Sequence, residues 1–289
     1  MKFWQSLSFT DPEHLVPLAK IAEEVGFHGA FASDHLFVPE KIRSKYPYSA
    51  DGSPPFHSTT PWPDAFVTCS ALLTATSRLE ISTAVYILPL RNPFEAAKAV
   101  ATLSLLSGGR FALGAGLGWM REEFEACNQD FATRGKRFDE MVAVMKTLWK
   151  GGMVEHHGEY YDFERLEMSP APKAQIPIYV GGGSDAALRR AARVGDGWIG
   201  AGNAPEDVPG LMDRLRSLRK QYDHERTPFE TIVAVSVPPE LDLFKRLEDA
   251  GVTALVSWPL AYTLGPGATL SAMRKALEEY GNHVIARLA

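Results

Sequence analysis

Short apolar segments alternate with amphipathic helical segments eight times along this chain, and this repeat limits the possible folds more than any other feature of the sequence. A strand that is apolar along its whole length is typical of a parallel sheet buried on both faces. Eight strand–helix units within 289 residues favour a closed barrel over an open, doubly wound sheet. We therefore predict one α/β domain over residues 1–289, a (β/α)8 TIM barrel with insertion loops at the C-terminal face. The apolar segments begin at Phe3, Ala30, Ile81, Phe111, Ile176, Gly197, Thr231 and Val252.

Two segments, at about 36–62 and 151–173, are longer than the connections that compact domains normally use. The first is rich in Pro, Ser, Tyr and Lys and follows the second strand. It should therefore lie at the C-terminal face, where barrel active sites are built, and we predict that it forms a lid or a substrate wall. The second segment is predicted to form a small hairpin.

Charge and cysteine content exclude several classes of protein. A net charge of −5 provides no basic face for a nucleic acid or an anionic membrane, and no apolar run approaches the roughly 18 residues that cross a bilayer. Two cysteines cannot build a disulfide framework, and this favours a cytoplasmic location. The histidines lack the spacing of metal ligands, so we expect no metal site. The expected partner is a small-molecule substrate. We also expect a homodimer, because the apolar stripe at 96–106 is wider than a barrel wall requires.

Asp34 and His35 stand at the predicted end of the second strand. A histidine in this place can exchange protons with a ligand near neutral pH, and an aspartate can orient it. The alternative is structural, with Asp34 capping a loop and His35 bonding to nearby backbone. Position alone leaves both interpretations open.

Two glycine-rich segments follow later strands. The Gly-Gly-Gly-Ser segment at 181–184 leads into a helix, where free backbone amides and the helix dipole favour a phosphate, although a tight turn needs the same small residues. The segment 114–119 lacks the spacing of a dinucleotide fingerprint. It is better interpreted as a loop that admits a flat ligand, with Trp119 either lining the pocket or packing in the core.

Four segments of the chain resemble the bacterial-luciferase-like superfamily of flavin and deazaflavin oxidoreductases. They are 88–93 (LPLRNP), 105–116 (LLSGGRFALGAG), 118–124 (GWMREEF) and 134–140 (RGKRFDE), and the last two are similar to the coenzyme F420-dependent subgroup. The resemblance covers essentially the whole chain. It implies a TIM barrel that holds an isoalloxazine-type ring at its C-terminal mouth.

The resemblance also implies the roles of particular residues. A backbone bulge under the ring, often with a cis peptide bond, corresponds here to Ala84–Val85. Asp34 and His35 match the family's Asp-His pair beside the deazaflavin ring, and Arg137 lies where relatives hold the cofactor phosphate. The residues expected to bind cofactor are Ala84, Val85, Gly116, Trp119, Arg137, Gly181, Gly182, Gly183 and Ser184.

One departure from the family concerns the substrate. Deazaflavin sugar-phosphate dehydrogenases that resemble this chain carry a catalytic glutamate where Trp119 stands, so we expect a substrate other than a sugar phosphate. The aromatic residues in loops and at strand ends favour an apolar or aromatic substrate. Those assigned to the substrate pocket are Phe37, Phe56, Trp62 and Trp258.

Together these features predict an oxidoreductase that transfers a hydride between coenzyme F420 and a small organic substrate. His35 is the expected acid/base and Asp34 is expected to orient it, while the cofactor carries the hydride chemistry. Two alternatives stay open. One is an FMN-dependent monooxygenase, and the other is a barrel that binds flavin without catalysis.

Overall fold

Eight parallel strands close into a barrel, which confirms the predicted (β/α)8 fold. The computed structural model describes residues 1–265 and 267–288. The strands are β1 (Lys2–Ser6), β2 (Gly29–Ala32), β3 (Glu80–Thr83), β4 (Tyr86–Ile87), β5 (Phe111–Gly116), β6 (Val154–His157), β7 (Asp162–Leu166), β8 (Ile178–Gly181), β9 (Gly197–Ile199), β10 (Glu230–Val233) and β11 (Ala254–Ser257). Around the barrel the order is β1, β2, β3, β5, β8, β9, β10 and β11, and β11 pairs with β1. Strand β4 follows β3 after a short break and pairs with β5.

The helices surround the barrel and begin and end at residues with clear local reasons. They are α1 (Pro12–Val25), α2 (Ala65–Ala75), α3 (Pro93–Ser107), α4 (Arg121–Ala126), α5 (Arg134–Leu148), α6 (Asp185–Val194), α7 (Val208–Gln221), α8 (Leu241–Ala250), α9 (Leu260–Leu264), α10 (Leu270–Tyr280) and α11 (Ala286–Leu288). In α3, for example, the Asn92 side chain accepts a hydrogen bond from the Phe94 amide, and Gly108 ends the helix with φ 67°. These are the usual start and stop signals of a helix.

Side chains fill the inside of the barrel. Trp4 and Phe31 stack there with ring centroids 4.4 Å apart, and both are almost fully buried. The other members of this inner cluster are Ala112, Tyr179, Ile199, Ile232 and Ala254. A packed interior leaves no channel, so a ligand site must lie at an end of the barrel.

The insertion 151–173 contains the predicted hairpin, formed by antiparallel β6 and β7. It packs on the outer side of α3 and α5. The Phe163 ring meets the Phe94 ring edge-on at 5.2 Å, and Glu140 accepts hydrogen bonds from the Tyr160 and Tyr161 amides. None of its residues, all of which the structure describes, lines the cleft at the strand ends.

The apolar stripe at 96–106 is divided between core and surface. Ala96, Val100 and Leu103 are buried in the core of this chain, while Leu106 is 76% exposed. Dimer formation stays a prediction.

In the ranges 1–265 and 267–288, every helix is too short or too polar to cross a membrane.

Candidate functional site

A cleft of about 780 Å³ opens at the C-terminal ends of the barrel strands. The loop 36–62 contributes to its walls, so this insertion lies at the predicted face. Twelve of the predicted site residues line the cleft: Asp34, His35, Phe56, Trp62, Ala84, Val85, Gly116, Trp119, Gly181, Gly182, Gly183 and Ser184. Their individual roles stay predictions, but the structure brings them together.

The floor of the cleft is a bulge between β3 and β4. The Ala84–Val85 peptide bond is cis, as predicted. Glycines on β5 and β8 give Val85 its space: a Cβ added at Gly116 would lie 2.4 Å from Val85 Cγ2, and one at Gly181 would lie 2.5 Å from Val85 Cγ1. Both glycines are therefore needed to seat the bulge, and this packing role stands beside the predicted role in cofactor binding.

His35 is held on one side by a buried carboxylate that the sequence predictions did not include. His35 Nδ1 lies 3.0 Å from Glu123 Oε2, while Glu123 Oε1 accepts a hydrogen bond of 2.9 Å from the Leu36 amide. The Glu123 side chain is fully buried, and that of His35 is 9% exposed. Within the described ranges His35 Nε2 has no hydrogen-bond partner, and the residue lines the cleft. The imidazole is thus fixed at one nitrogen and available at the other.

Asp34 makes no hydrogen bond to His35 in the described ranges, so its predicted role in orienting His35 has no direct contact behind it. The Asp34 carboxylate accepts hydrogen bonds from the Ile87 amide at 2.8 Å and from Arg91 Nη2 at 2.7 Å, so it holds the chain just beyond the bulge. His35 instead binds Glu123 through Nδ1. Burial raises the pKa of Asp34, although Arg91 and the Ile87 amide both favour its charged form.

Three aromatic rings surround the His35 imidazole. Their centroids lie 5.2 Å (Phe56), 4.9 Å (Trp62) and 6.0 Å (Trp119) from it. The indole N–H of Trp62 is buried and donates to no acceptor in the part of the chain that the structure describes. These rings replace part of the water that would surround an exposed imidazole, and apolar surroundings strengthen electrostatic interactions.

The other two aromatic predictions have different outcomes. Phe37 is 37% exposed and does not line the cleft, so the structure does not bring it together with the other predicted site residues. It follows the Leu36 amide that Glu123 binds, and the loop turns outward at this point. Trp258 lies in a second chamber that adjoins the cleft.

Helix α4 anchors the loop 36–62 to the barrel. Glu122 accepts hydrogen bonds from the Arg43 amide at 2.6 Å and from the Ser44 amide and hydroxyl at 3.1 and 2.8 Å. Burial raises the pKa of Glu122, but its own amide and the Arg43 and Ser44 donors outweigh that effect and lower the pKa to about 2. The carboxylate form is therefore the one that holds the loop.

This anchor predicts a pH-dependent stability difference. Because the pKa of Glu122 falls from 4.5 to about 2 on folding, its contribution is complete above pH 4.5 and is lost as the pH falls towards 2. We expect Glu122→Gln to lower the free energy of unfolding by about 1.5–3 kcal/mol at pH 7 and by progressively less at pH 4 and pH 3, measured by urea denaturation. The exposed neighbour Glu125→Gln serves as the control, with a change below about 0.5 kcal/mol. A difference for Glu122→Gln that does not vary with pH contradicts this account.

The far end of the cleft is suited to an anion. Ser184 caps α6, accepting a hydrogen bond from the Ala187 amide. The amides of Asp185 and Ala186, in the first turn of α6, have no partner within the helix. A Cβ added at Gly183 would meet no atom within 4 Å, so the backbone here borders open space. Free amides at a helix N-terminus beside open space favour a phosphate.

Arg134, rather than Arg137, lines this end, so the structure does not bring Arg137 to the cleft as predicted. The Arg137 guanidinium is buried, donates to Pro89 O, Gln129 Oε1 and Asp130 O at 2.7–3.0 Å and to Thr133 Oγ1 at 3.2 Å, and does not line the cleft. Arg134 forms no ion pair with any carboxylate in the described ranges.

Arg134 carries an uncompensated charge. Its guanidinium stacks on the Phe131 ring at 3.7 Å, and Arg121 lies over the same ring at 4.4 Å. Burial, followed by the charges of Arg121 and Arg190, lowers the pKa of Arg134. An anion bound at this end of the cleft would relieve the repulsion.

We expect substitution of Arg137 to affect mainly the stability of the protein and substitution of Arg134 to affect mainly the binding of a cofactor. Arg137→Met leaves buried oxygens without donors and should lower the free energy of unfolding by about 2–3 kcal/mol. Arg134→Met should change stability by less than about 1 kcal/mol but weaken binding of a phosphate-bearing cofactor at least about tenfold. Urea denaturation and fluorescence titration of each variant measure these effects. Equal losses of affinity in both variants would contradict the assignment.

Glu123 and Arg134 were absent from the predictions, and the sequence gives only partial signals for them. Both lie in segments that carry the family resemblance. However, α4 has three glutamates within four positions, and α5 has two arginines three positions apart. Adjacent turns of one helix present such residues to different surroundings, and only the packing decides which residue faces the cleft.

The fold and the site together define a class of protein: TIM barrels with a cleft at the C-terminal mouth that has room for a flat ring with an anionic tail. The residues fit such a group, with a glycine-seated bulge as floor, an aromatic wall beside His35, and free amides with Arg134 at the anionic end. Among residues 1–265 and 267–288, no three His, Cys, Asp or Glu side chains are placed to hold a metal ion.

Comparisons with known proteins agree with this class. The family model described as luciferase-like monooxygenase matches residues 4–251. A protein of Mycobacterium tuberculosis with no assigned function is 39% identical over 290 residues, which is 100% of both chains. An F420-dependent glucose-6-phosphate dehydrogenase of Mycolicibacterium gilvum is 31% identical over 243 residues, 80% of this chain and 68% of the relative. The chain therefore belongs to the luciferase-like monooxygenase family.

Solved structures show the same fold. An F420-dependent secondary alcohol dehydrogenase in complex with an F420-acetone adduct superposes with a TM-score of 0.77 at 17% identity, over 99% of this chain and 98% of the other. A monooxygenase from Streptomyces bottropensis gives a TM-score of 0.75 at 19% identity over 100% of both chains. Enzymes of both the F420-dependent and the monooxygenase type thus share this barrel.

Proposed function

We propose that this protein is an F420-dependent oxidoreductase that transfers a hydride between the deazaflavin and a small organic substrate. The observation that carries the proposal is the His35–Glu123 pair: one imidazole nitrogen is fixed at 3.0 Å from a buried carboxylate while the other is available in the cleft. A hydride transfer to or from a carbon–oxygen bond needs a proton donor or acceptor at the oxygen. His35 Nε2 fills that role.

The remaining residues of the cleft bind and position. The bulge at Ala84–Val85 supports the flat ring, and the amides of α6 together with Arg134 hold the phosphate. Bound F420 supplies or accepts the hydride. The aromatic wall reduces the contact of His35 with water, and Glu123 holds its Nδ1 and its ring in place.

Relatives support F420 over FMN, since the 31% identical relative carries F420 in its name, but the barrel also occurs in a monooxygenase. The test is therefore a fluorescence titration of the purified protein with oxidised F420 and with FMN, side by side. We expect F420 to bind at micromolar or lower concentration and FMN to bind at least about tenfold more weakly. The reverse preference would overturn the proposal in favour of an FMN-dependent monooxygenase, and binding of neither would overturn both.

A further inference from the structure

A separate cleft of about 660 Å³ opens at the other end of the barrel, where the strands begin. We call it the N-terminal cleft, and it shares no lining residue with the cleft at the C-terminal mouth. Its volume is within the range of small-molecule sites, roughly 300–1,000 Å³. Four alternate strands of the barrel, β1, β3, β8 and β10, each contribute a side chain from their first or second residue: Lys2, Glu80, Tyr179 and Glu230.

Tyr179 brings an unpartnered hydroxyl to the N-terminal cleft. The residue is only 5% exposed, and its ring belongs to the packed interior of the barrel. Within residues 1–265 and 267–288 its hydroxyl forms no hydrogen bond, yet it is accessible from the cleft. A Cβ added at Gly197 on β9 would lie 2.7 Å from Tyr179 Cδ1 and 3.0 Å from Glu230 Cβ, so this glycine makes room for both side chains. The hydroxyl is therefore held in place and free to bind a ligand.

Three carboxylates line the cleft around this hydroxyl. Burial raises the pKa of Tyr179, and the negative charges of Glu230, Glu80 and Asp196 raise it further. Each carboxylate also has a partner in the protein: Lys2 for Glu230, His28 for Glu80 and Gln175 for Asp196. Carboxylate oxygens can accept further hydrogen bonds, and an ammonium has three hydrogens to donate. This part of the cleft therefore favours an ammonium and repels an anion.

Basic side chains line the same cleft at the end of α6. Lys146 Nζ donates to Val194 O at 2.7 Å and retains two further hydrogens. Arg193 pairs with Asp139 through Nη2, while its Nε and Nη1 form no hydrogen bond in the part of the chain that the structure describes. Arg110 also lines the cleft but donates to four oxygens of the protein. Lys146 and Arg193 are thus the groups available to bind a carboxylate.

We propose that the N-terminal cleft binds a small zwitterionic amino acid, whose ammonium lies at Tyr179 and the neighbouring carboxylates and whose carboxylate lies at Lys146 and Arg193. A plain amine or a plain acid satisfies only one of these two groups. The site is independent of the proposed function, because it lies at the opposite end of the barrel from the cofactor cleft.

The test is calorimetric titration of the purified protein with 4-aminobutyrate and 6-aminohexanoate, each compared with the amine and the acid of the same chain length. We expect at least one of the two amino acids to bind at least about tenfold more tightly than butylamine and butyrate, or hexylamine and hexanoate, respectively. Equal affinity of the amino acid and the amine, or of the amino acid and the acid, overturns the proposal. Absence of binding up to about 10 mM also overturns it.

Two variants assign the binding to the N-terminal cleft. Tyr179→Phe removes only the hydroxyl and Lys146→Met removes only the cation, and each should weaken the amino acid at least about fivefold. Lys136→Met is the matched control, since Lys136 lies on the same helix as Lys146, is 71% exposed and lines neither cleft. Wild-type affinity in both cleft variants, or an equal loss in the control, overturns the assignment.

Titration of the same variants with F420 separates this proposal from the proposed function. Tyr179→Phe should bind F420 within about threefold of wild type, because the two clefts share no residue. Absence of F420 binding in the wild type overturns the proposed function and leaves the amino acid titrations to decide the N-terminal cleft.

Discussion

Replacing His35 with glutamine is expected to lower kcat for the proposed F420-dependent turnover by about 100- to 10,000-fold and to leave the affinity for F420 within about threefold. Glutamine keeps a polar side chain of similar length but cannot exchange a proton with the substrate oxygen. Steady-state kinetics and cofactor titration of the same preparation measure both quantities. The control is His57→Gln, an exposed histidine of the same loop that does not line the cleft and should leave kcat unchanged.

Glu123→Gln distinguishes a positioning role from a merely structural one. The amide keeps the size of the side chain but removes the charged acceptor at His35 Nδ1, so we expect kcat to fall about 10- to 100-fold while the affinity for F420 stays within about threefold. Glu123→Asp keeps the charge and should recover part of kcat, whereas equal losses of kcat and of affinity in both variants would show that Glu123 only supports the fold. Unchanged kcat in His35→Gln would contradict the proposed mechanism altogether.

Replacing Gly114 with alanine should have the largest effect on stability. A Cβ at this position would lie 1.7 Å from Thr83 O, a backbone atom of the adjacent barrel strand, so neither strand can move without breaking its pairing. We expect a loss of more than about 4 kcal/mol in the free energy of unfolding, or no soluble protein. Urea denaturation followed by tryptophan fluorescence measures the change.

Gly183→Ala is the matched control for this prediction. Its added Cβ meets no atom within 4 Å, so the free energy of unfolding should stay within about 0.5 kcal/mol of wild type. Binding of the cofactor phosphate should nevertheless weaken, because the methyl group occupies the open space beside the amides of α6. Wild-type stability of Gly114→Ala would show that the strands can separate locally without cost.

The fold could be predicted because its signals are local and repeated. Each barrel strand is a short apolar run, and stop signals such as Gly26 and Gly108 mark the ends of the preceding helices. The closure of the barrel follows from the number of units. Asp34, His35 and the segment 181–184 each directly follow a predicted strand. Because the C-terminal ends of parallel strands lie at one face of the barrel, the sequence also predicted that these residues lie close together.

The partners of the site residues could not be predicted in the same way. Asp34 stands beside His35 in the sequence, yet it binds Arg91, while His35 binds Glu123, 88 positions away. Arg134 and Arg137 differ by three positions on α5. Arg134 lines the cleft, whereas the guanidinium of Arg137 donates hydrogen bonds to other residues of the chain, among them Pro89 O. Such outcomes depend on side-chain directions in the packed structure, which no periodicity in the sequence records.

Two consecutive residues of α4 hold both the loop that walls the cleft and the imidazole that faces it. Glu122 binds the loop at Arg43 and Ser44, and Glu123 binds the same loop at Leu36 while fixing His35. The wall of the cleft and its histidine therefore depend on the placement of one short helix, so a substitution that displaces α4 is expected to disturb both together.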